Sequence, residues 1–218
     1  HTYINGRLVA ANGVSLIDSS QSAIVNQFSC SEKKPVDFEI AAGALPSPIP
    51  VIEALDGQLI TNKLYVEPRV MDGKMLSDTG RDLLKIVVVN RYQDAPVATG
   101  FIKNFQLKKG ALASSVAHDS HNIVAVGVDD ECICRAVNLV IQSRGGVSAV
   151  YPSAADQWKE ALLPLPVAGL MSNVDGYQVA AEYTAIDKMS KEEMGSTLAA
   201  PFMTLSFMAL LVIPHLKL

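Results

Sequence analysis

Short apolar runs and polar–apolar alternation divide this chain into segments, most of which read as strands. Leu84–Val89 is almost continuously apolar, the pattern of a strand buried on both faces. Val97–Ile102, Leu112–Val116 and Ile123–Val128 are further runs of strand length. Val51–Leu55 predicts a strand that turns at Asp56-Gly57 and pairs with Gln58–Thr61. Asp37–Ile40 alternates as a strand does, and Pro46, Pro48 and Pro50 break the stretch beyond it. At the front, Tyr3–Ala10 predicts a strand, and the turn signals Asn5-Gly6 and Asn12-Gly13 make it part of a short hairpin. Ser19, Ser20, Gln21 and Ser22 read as surface or linker.

Helical spacing appears twice. Asp129 opens the first helix, with Asp130 and Glu131 placing negative charge at its positive end. Ile133, Val137, Val140 and Ile141 form its apolar stripe, and Arg144, Gly145 and Gly146 stop it ahead of a returning strand, Val147–Tyr151. The second helix is predicted from about Gly176 to Met194, with Val179, Ala180, Tyr183, Ile186 and Met189 as its buried face and Gly195 as its end. Leu198–Ile213 is the most apolar stretch, but it carries Pro201 and falls short of the roughly 20 residues a bilayer span needs. It predicts a buried core segment and no membrane partner. The expected class is therefore α+β: mixed, mostly antiparallel sheets packed with a few helices, preceded by a short β-hairpin.

Composition supports a packed core: 49% of the 218 residues are hydrophobic and 18% are charged. The net charge of −4 and the isolated pairs Lys33-Lys34 and Lys108-Lys109 give no basic stripe, which argues against a nucleic-acid partner. Cys30, Cys132 and Cys134 are too few for a disulfide framework, and the Cys-x-Cys pair has no second pair to complete a metal site. They read as inert thiols in a reducing cytoplasm. His1–Leu8 is no signal peptide, and a start at His1 reads as mid-protein.

One segment is dense in chemistry: Ala117-His118-Asp119-Ser120-His121-Asn122, between two apolar runs. His118, Asp119 and His121 offer imidazole and carboxylate groups suited to a divalent metal or to general acid–base work. The plainer alternative is a turn capped by Asp119 and Asn122 in which the histidines are polar filler. Ser114-Ser115 lies just before, without the Gly-x-Ser-x-Gly elbow of a hydrolase nucleophile. Lys108-Lys109-Gly110 and Gly73-Lys74 lack the spacing of a phosphate loop. Asp175, Glu182, Asp187, Glu192 and Glu193 read as a solvated helix face, and Met203–Met208 as core packing.

Four stretches, taken in order, are similar to one known family. They are Lys85–Tyr92; Gly110–Ile123 running on to Val126-Gly127; Gly145-Gly146 with Leu163–Ser172; and Pro201–Phe207 with Val212-Ile213-Pro214. The string Ser-Val-Ala-His-Asp-Ser-His-Asn, residues 115–122, is long and unusual. Together they resemble the C-terminal domain of bacterial and archaeal adenine deaminases, of the amidohydrolase superfamily. Tyr3–Ala10 resembles the strand that follows the barrel there. Leu211 stands where that family has proline, and the chain stops at Leu218, a few residues short of it.

The resemblance implies hydrolysis of adenine to hypoxanthine and ammonia, in purine salvage and adenine catabolism. The catalytic half of such enzymes resembles a (β/α)8 barrel that holds divalent metal (manganese, iron or zinc) through an early His-x-His pair and further ligands. No His-x-His occurs here, and 218 residues cannot hold a barrel of about 250 residues besides these segments. The chain then reads as a fragment. Residues 1–35 would be a post-barrel β-segment and linker, and 36–218 the C-terminal α+β domain. Its partners would be the N-terminal barrel of the same protein, adenine as substrate, and further copies in a homo-oligomer. The resemblance turns the 118–122 loop towards the barrel's site. His118, Asp119 and His121 are the catalytic candidates, and Ser114, Ser115, Ser120 and Asn122 the candidates for substrate contact. Neither metal ligands nor a cofactor are expected on this part.

Overall fold

The structure, a computed structural model, describes residues 1–18, 23–153 and 157–218. The Ser19–Ser22 segment lies outside them. An eight-stranded sheet dominates the described residues. Its strands are β5 (Ile49–Ala54), β6 (Thr61–Val66), β9 (Leu84–Val89), β10 (Ala98–Lys103), β11 (Ala111–Ser114), β12 (Ile123–Gly127), β13 (Gly146–Pro152) and β14 (Trp158–Pro164), in the order β14-β13-β11-β12-β9-β10-β5-β6. Every pairing is antiparallel except β10 with β5. Two further three-stranded sheets are present: β1 (Thr2–Ile4), β2 (Arg7–Ala11) and β3 (Val14–Ser15), and β4 (Ile40–Ala41), β8 (Lys74–Leu76) and β7 (Arg69–Met71). The class is α+β, as the alternation predicts.

Both faces of the large sheet are covered, and β9 shows why its sequence is continuously apolar. Leu84 and Ile86 enter one core, whereas Val87 and Val89 enter the other. Helix α1 (Asp130–Gln142) covers the second face with Ile133, Ala136, Val137 and Val140. Helices α2 (Gly176–Lys188) and α3 (Pro201–Ser206) cover the first with Ile186, Phe202 and Leu205. Each such fully buried Val, Ile, Leu or Phe contributes about 1.5–3 kcal/mol. Helix α1 begins as its sequence dictates: the Asp129 carboxylate accepts from the Cys132 N–H at 2.7 Å. It ends where Arg144 (φ +57) and Gly145 (φ +123) turn left-handed and the Gly145 N–H reaches back to the Val140 carbonyl. Cys132 and Cys134 are both covered; burial pushes the Cys134 thiol up to about 11.

Several elements differ from expectation. Asp37–Ile40 is not one strand: Pro35 sets a 3₁₀ turn over Pro35–Phe38, and only Ile40–Ala41 pair, with β8. The Asp56-Gly57 turn is present, but the partner strand starts at Thr61, because residues 55–60 form a wider loop. Pro50 lies inside β5. Near the front, the predicted strand is split by its own Asn5-Gly6 turn into β1 and β2. The second helix stays α-helical only to Lys188 and closes in a π turn over Met189–Glu193; Ala180 on it is exposed. In the stretch from Leu198, Phe202, Leu205 and Met208 are buried, but Leu211 and Val212 are exposed. Among the described residues no helix is long and apolar enough to cross a membrane.

Candidate functional site

Strands β11 and β12 lie antiparallel in mid-sheet, with Ser114 opposite Val124, so residues 115–122 must return the chain at the sheet's end. The turn closes on itself. The His121 N–H donates to the Ala117 carbonyl at 2.7 Å, and His121 takes a left-handed φ of +51. The His118 N–H donates to the Ser206 carbonyl at 2.9 Å, and its ring stacks on Phe207 with centroids 4.6 Å apart. The two imidazoles stand edge to face at 6.2 Å. Thus the structure keeps His118, Asp119 and His121 together in one turn, with Asp119 and Ser120 exposed and the two histidines partly buried.

The remaining candidates are differently placed. Ser115 is fully buried: its hydroxyl donates to the Gly169 carbonyl at 2.6 Å and accepts from the Gly146 N–H at 2.9 Å. Ser114 accepts from the Val116 N–H at 3.0 Å. Asn122 accepts from the Arg91 N–H through Oδ1 at 3.3 Å. Beside the turn opens a cleft of ≈ 280 Å³, whose lining includes Val116, Val147, Leu163 and Phe202 and two of the candidates, Ser114 and His118. Apolar walls with a few polar groups are what a small planar ligand requires.

Electrostatically the turn sits beside a cation. Arg91, 4% exposed, has no carboxylate partner among the described residues. Burial lowers the His121 pKa below its ordinary value; the positive charge of Arg91 and the neighbouring His118 lower it further, and Asp119 opposes them. His121 is therefore neutral at pH 7, able to donate from one ring nitrogen and accept at the other. Its Nδ1 is buried without a hydrogen-bond partner among the described residues.

Arg91, Tyr92, Gly169 and Phe207 touch the turn or its supports; each lies inside a stretch that carries the family resemblance, but nothing in the sequence gives any of them a role at the turn. No spacing connects them: Arg91 and His121 meet because β12 pairs with β9, setting Ile123 opposite Val89. The usable signal is a polar run, Asn90-Arg91-Tyr92, directly after a strand buried on both faces. Among the described residues no group of three or more His, Cys, Asp or Glu side chains is placed to hold a metal ion.

Residues 58–218 match the family model described as the adenine deaminase C-terminal domain. The adenine deaminase of Sulfurovum sp. (strain NBC37-1) is 48% identical over 217 residues, covering 100% of this chain and 38% of that protein. That of Salinibacter ruber is 47% identical over 218 residues, and that of Borreliella afzelii 41% over 218, each again with 100% of this chain and 38% of the relative. The chain thus spans well under half the length of the curated relatives it matches.

Proposed function

The chain belongs to the adenine deaminase C-terminal domain family, and from that premise we propose that it is the C-terminal part of a longer enzyme that hydrolyses adenine to hypoxanthine and ammonia, with the 118–122 loop completing the site where the base is held. The observation that supports this most is the pairing of two imidazoles and a carboxylate in one turn beside an apolar cleft. Adenine is a flat ring bearing acceptor nitrogens and an exocyclic amine. A neutral His121 can match either type of atom, the Asp119 carboxylate can accept from the amine, and His118 can pass a proton. Ser120 and Asn122 are the nearest further polar groups on the loop. Ser114 lines the cleft and is the candidate for contact there, whereas the buried Ser115 holds the turn through bonds to backbone.

On this reading the divalent metal expected for such an enzyme (manganese, iron or zinc) would be held by the N-terminal barrel, in keeping with the lack of a three-ligand group among the described residues. Three free thiols, two of them buried, support a reducing, cytoplasmic setting. A homo-oligomer remains part of the same reading.

A second reading, that this domain only supports the barrel or the assembly, is favoured by one observation: the His118 N–H and ring are both engaged inward, on Ser206 and Phe207. Adenine-dependent ammonia release by the full-length, metal-loaded enzyme separates the two. A fall in kcat of about 100-fold in His118→Ala, at unchanged metal content, puts the loop in the site. Unchanged turnover in both His118→Ala and His121→Asn makes this domain a support, and an inactive wild type removes the deaminase reading itself.

A further inference from the structure

Just past the end of β9 the chain turns its one buried guanidinium among the described residues into the body of the domain. Arg91 Nη1 donates to the Ala168 carbonyl at 2.8 Å, and Nη2 to the Tyr92 hydroxyl at 3.0 Å. The guanidinium also lies over two rings, 5.6 Å from the centroid of Phe28 and 4.7 Å from that of Tyr92. Tyr92 passes the chain of bonds onward, its hydroxyl donating to the Ser120 carbonyl at 3.0 Å. From the same residue, the Arg91 N–H holds Asn122 Oδ1. The two central residues of the relay are adjacent in sequence, yet between them they grip the loop at positions 120 and 122 and the 168 turn on its far side.

This arrangement has a cost that packing alone does not explain. A buried cation ordinarily has a carboxylate, and among the described residues Arg91 has none: its guanidinium bonds a carbonyl and a phenol and lies over two aromatic rings. Its Nε has no partner among the described residues. An apolar side chain of the same length would fill the space without that penalty, but it could not fix two loops through one planar fork.

We propose that Arg91 and Tyr92 are positioning residues for the 118–122 loop, setting the orientation of its histidines towards the bound base. This rests on the reading that the loop belongs to the active site. Neither residue touches substrate; each acts through the backbone at Ser120, the Asn122 amide and the 168 turn. The cation has a second effect, since it faces His121 together with His118 and Asp119, and it favours the neutral imidazole.

The test uses the full-length, metal-loaded enzyme with Tyr92→Phe, Arg91→Lys and Arg91→Met beside His118→Ala. Tyr92→Phe removes a single oxygen. It should lower kcat about 10- to 100-fold, the scale of a misplaced catalytic group, with KM for adenine and the melting temperature little changed. Arg91→Lys, which keeps the charge and loses the fork, should lower kcat similarly while the acid limb of the kcat/KM profile stays in place. Arg91→Met should move that limb to higher pH, because the positive charge that adds to burial in lowering the His121 pKa is gone. If Tyr92→Phe and Arg91→Lys keep wild-type kcat while His118→Ala loses it, the loop is catalytic but is not positioned by this relay, and the inference is wrong. If His118→Ala itself turns over normally, the active-site reading fails first and the positioning role falls with it.

Discussion

Arg91 lays its guanidinium directly against Gly169, so that any side chain at 169 must push the guanidinium aside. Gly169 holds a left-handed φ of +69, and a Cβ there would overlap Nη1 of Arg91 and lie 3.0 Å from its Cζ. Gly169→Ala therefore combines backbone strain with displacement of the guanidinium from the Ala168 carbonyl. The expected loss is about 1–2 kcal/mol of unfolding free energy, read as a lower urea midpoint at unchanged slope. A midpoint equal to wild type would show that the guanidinium moves aside freely.

The same turn is held from the other side by Ser115. Its hydroxyl bridges the Gly169 carbonyl and the Gly146 N–H within a fully buried site. Ser115→Ala leaves both backbone groups in the interior without that partner, which costs about 1–3 kcal/mol. Thermal unfolding of the variant should show the loss, while KM for adenine in the full-length enzyme stays at its wild-type value. A raised KM at unchanged stability would instead give the Ser115 hydroxyl a direct contact with the base.

Those two relationships mark where the sequence is legible and where it is not. Strand β9 is readable because burial on two faces demands an uninterrupted apolar run, and α1 because Asp129 and Gly145 are chemically suited to its ends. The turn at 118–122 stands out since polar groups concentrated between two apolar strands must lie at a sheet's end. In contrast, Asp37–Ile40 has strand alternation, yet Pro35 and the 3₁₀ turn it starts override it. Helical spacing overestimates the α2 face at Ala180, as it reports a stripe without reporting how far the covering layer extends. Arg91 is invisible as a neighbour of His121, for their meeting depends on sheet order, which periodicity does not encode.

A second buried cation offers a contrast to Arg91, because it is paired. Lys85, 1% exposed, donates to the Phe38 carbonyl at 3.0 Å and forms an ion pair with Asp130 in the first turn of α1. Burial raises the Asp130 pKa, and the lysine works against that shift. Lys85→Met leaves a partly buried carboxylate alone and should destabilise by roughly 3 kcal/mol. Lys85→Met with Asp130→Leu should recover most of that loss, since the orphaned charge is gone as well. A double variant no more stable than Lys85→Met would mean that the Phe38 contact, not the ion pair, carries the effect.

His121 links the candidate site to the pH dependence of folding. Its folded pKa lies below the ordinary 6.5, first through burial and then through Arg91 and His118, with Asp119 opposing. The unfolded chain therefore binds the proton more readily than the folded one. By linkage, stability from this residue is fully present above about pH 6.5 and declines as pH falls through that value towards the lower folded one. His121→Asn removes the titration, and asparagine tolerates the left-handed φ of +51 at this position. Urea unfolding at pH 7.5 and pH 5.5 should show the wild type losing more stability over that interval than His121→Asn, every other titrating group being common to both. Parallel losses in the two proteins would mean that His121 accepts a proton in the folded state as easily as in water. The lowering of its pKa by burial and by Arg91 would then have to be given up.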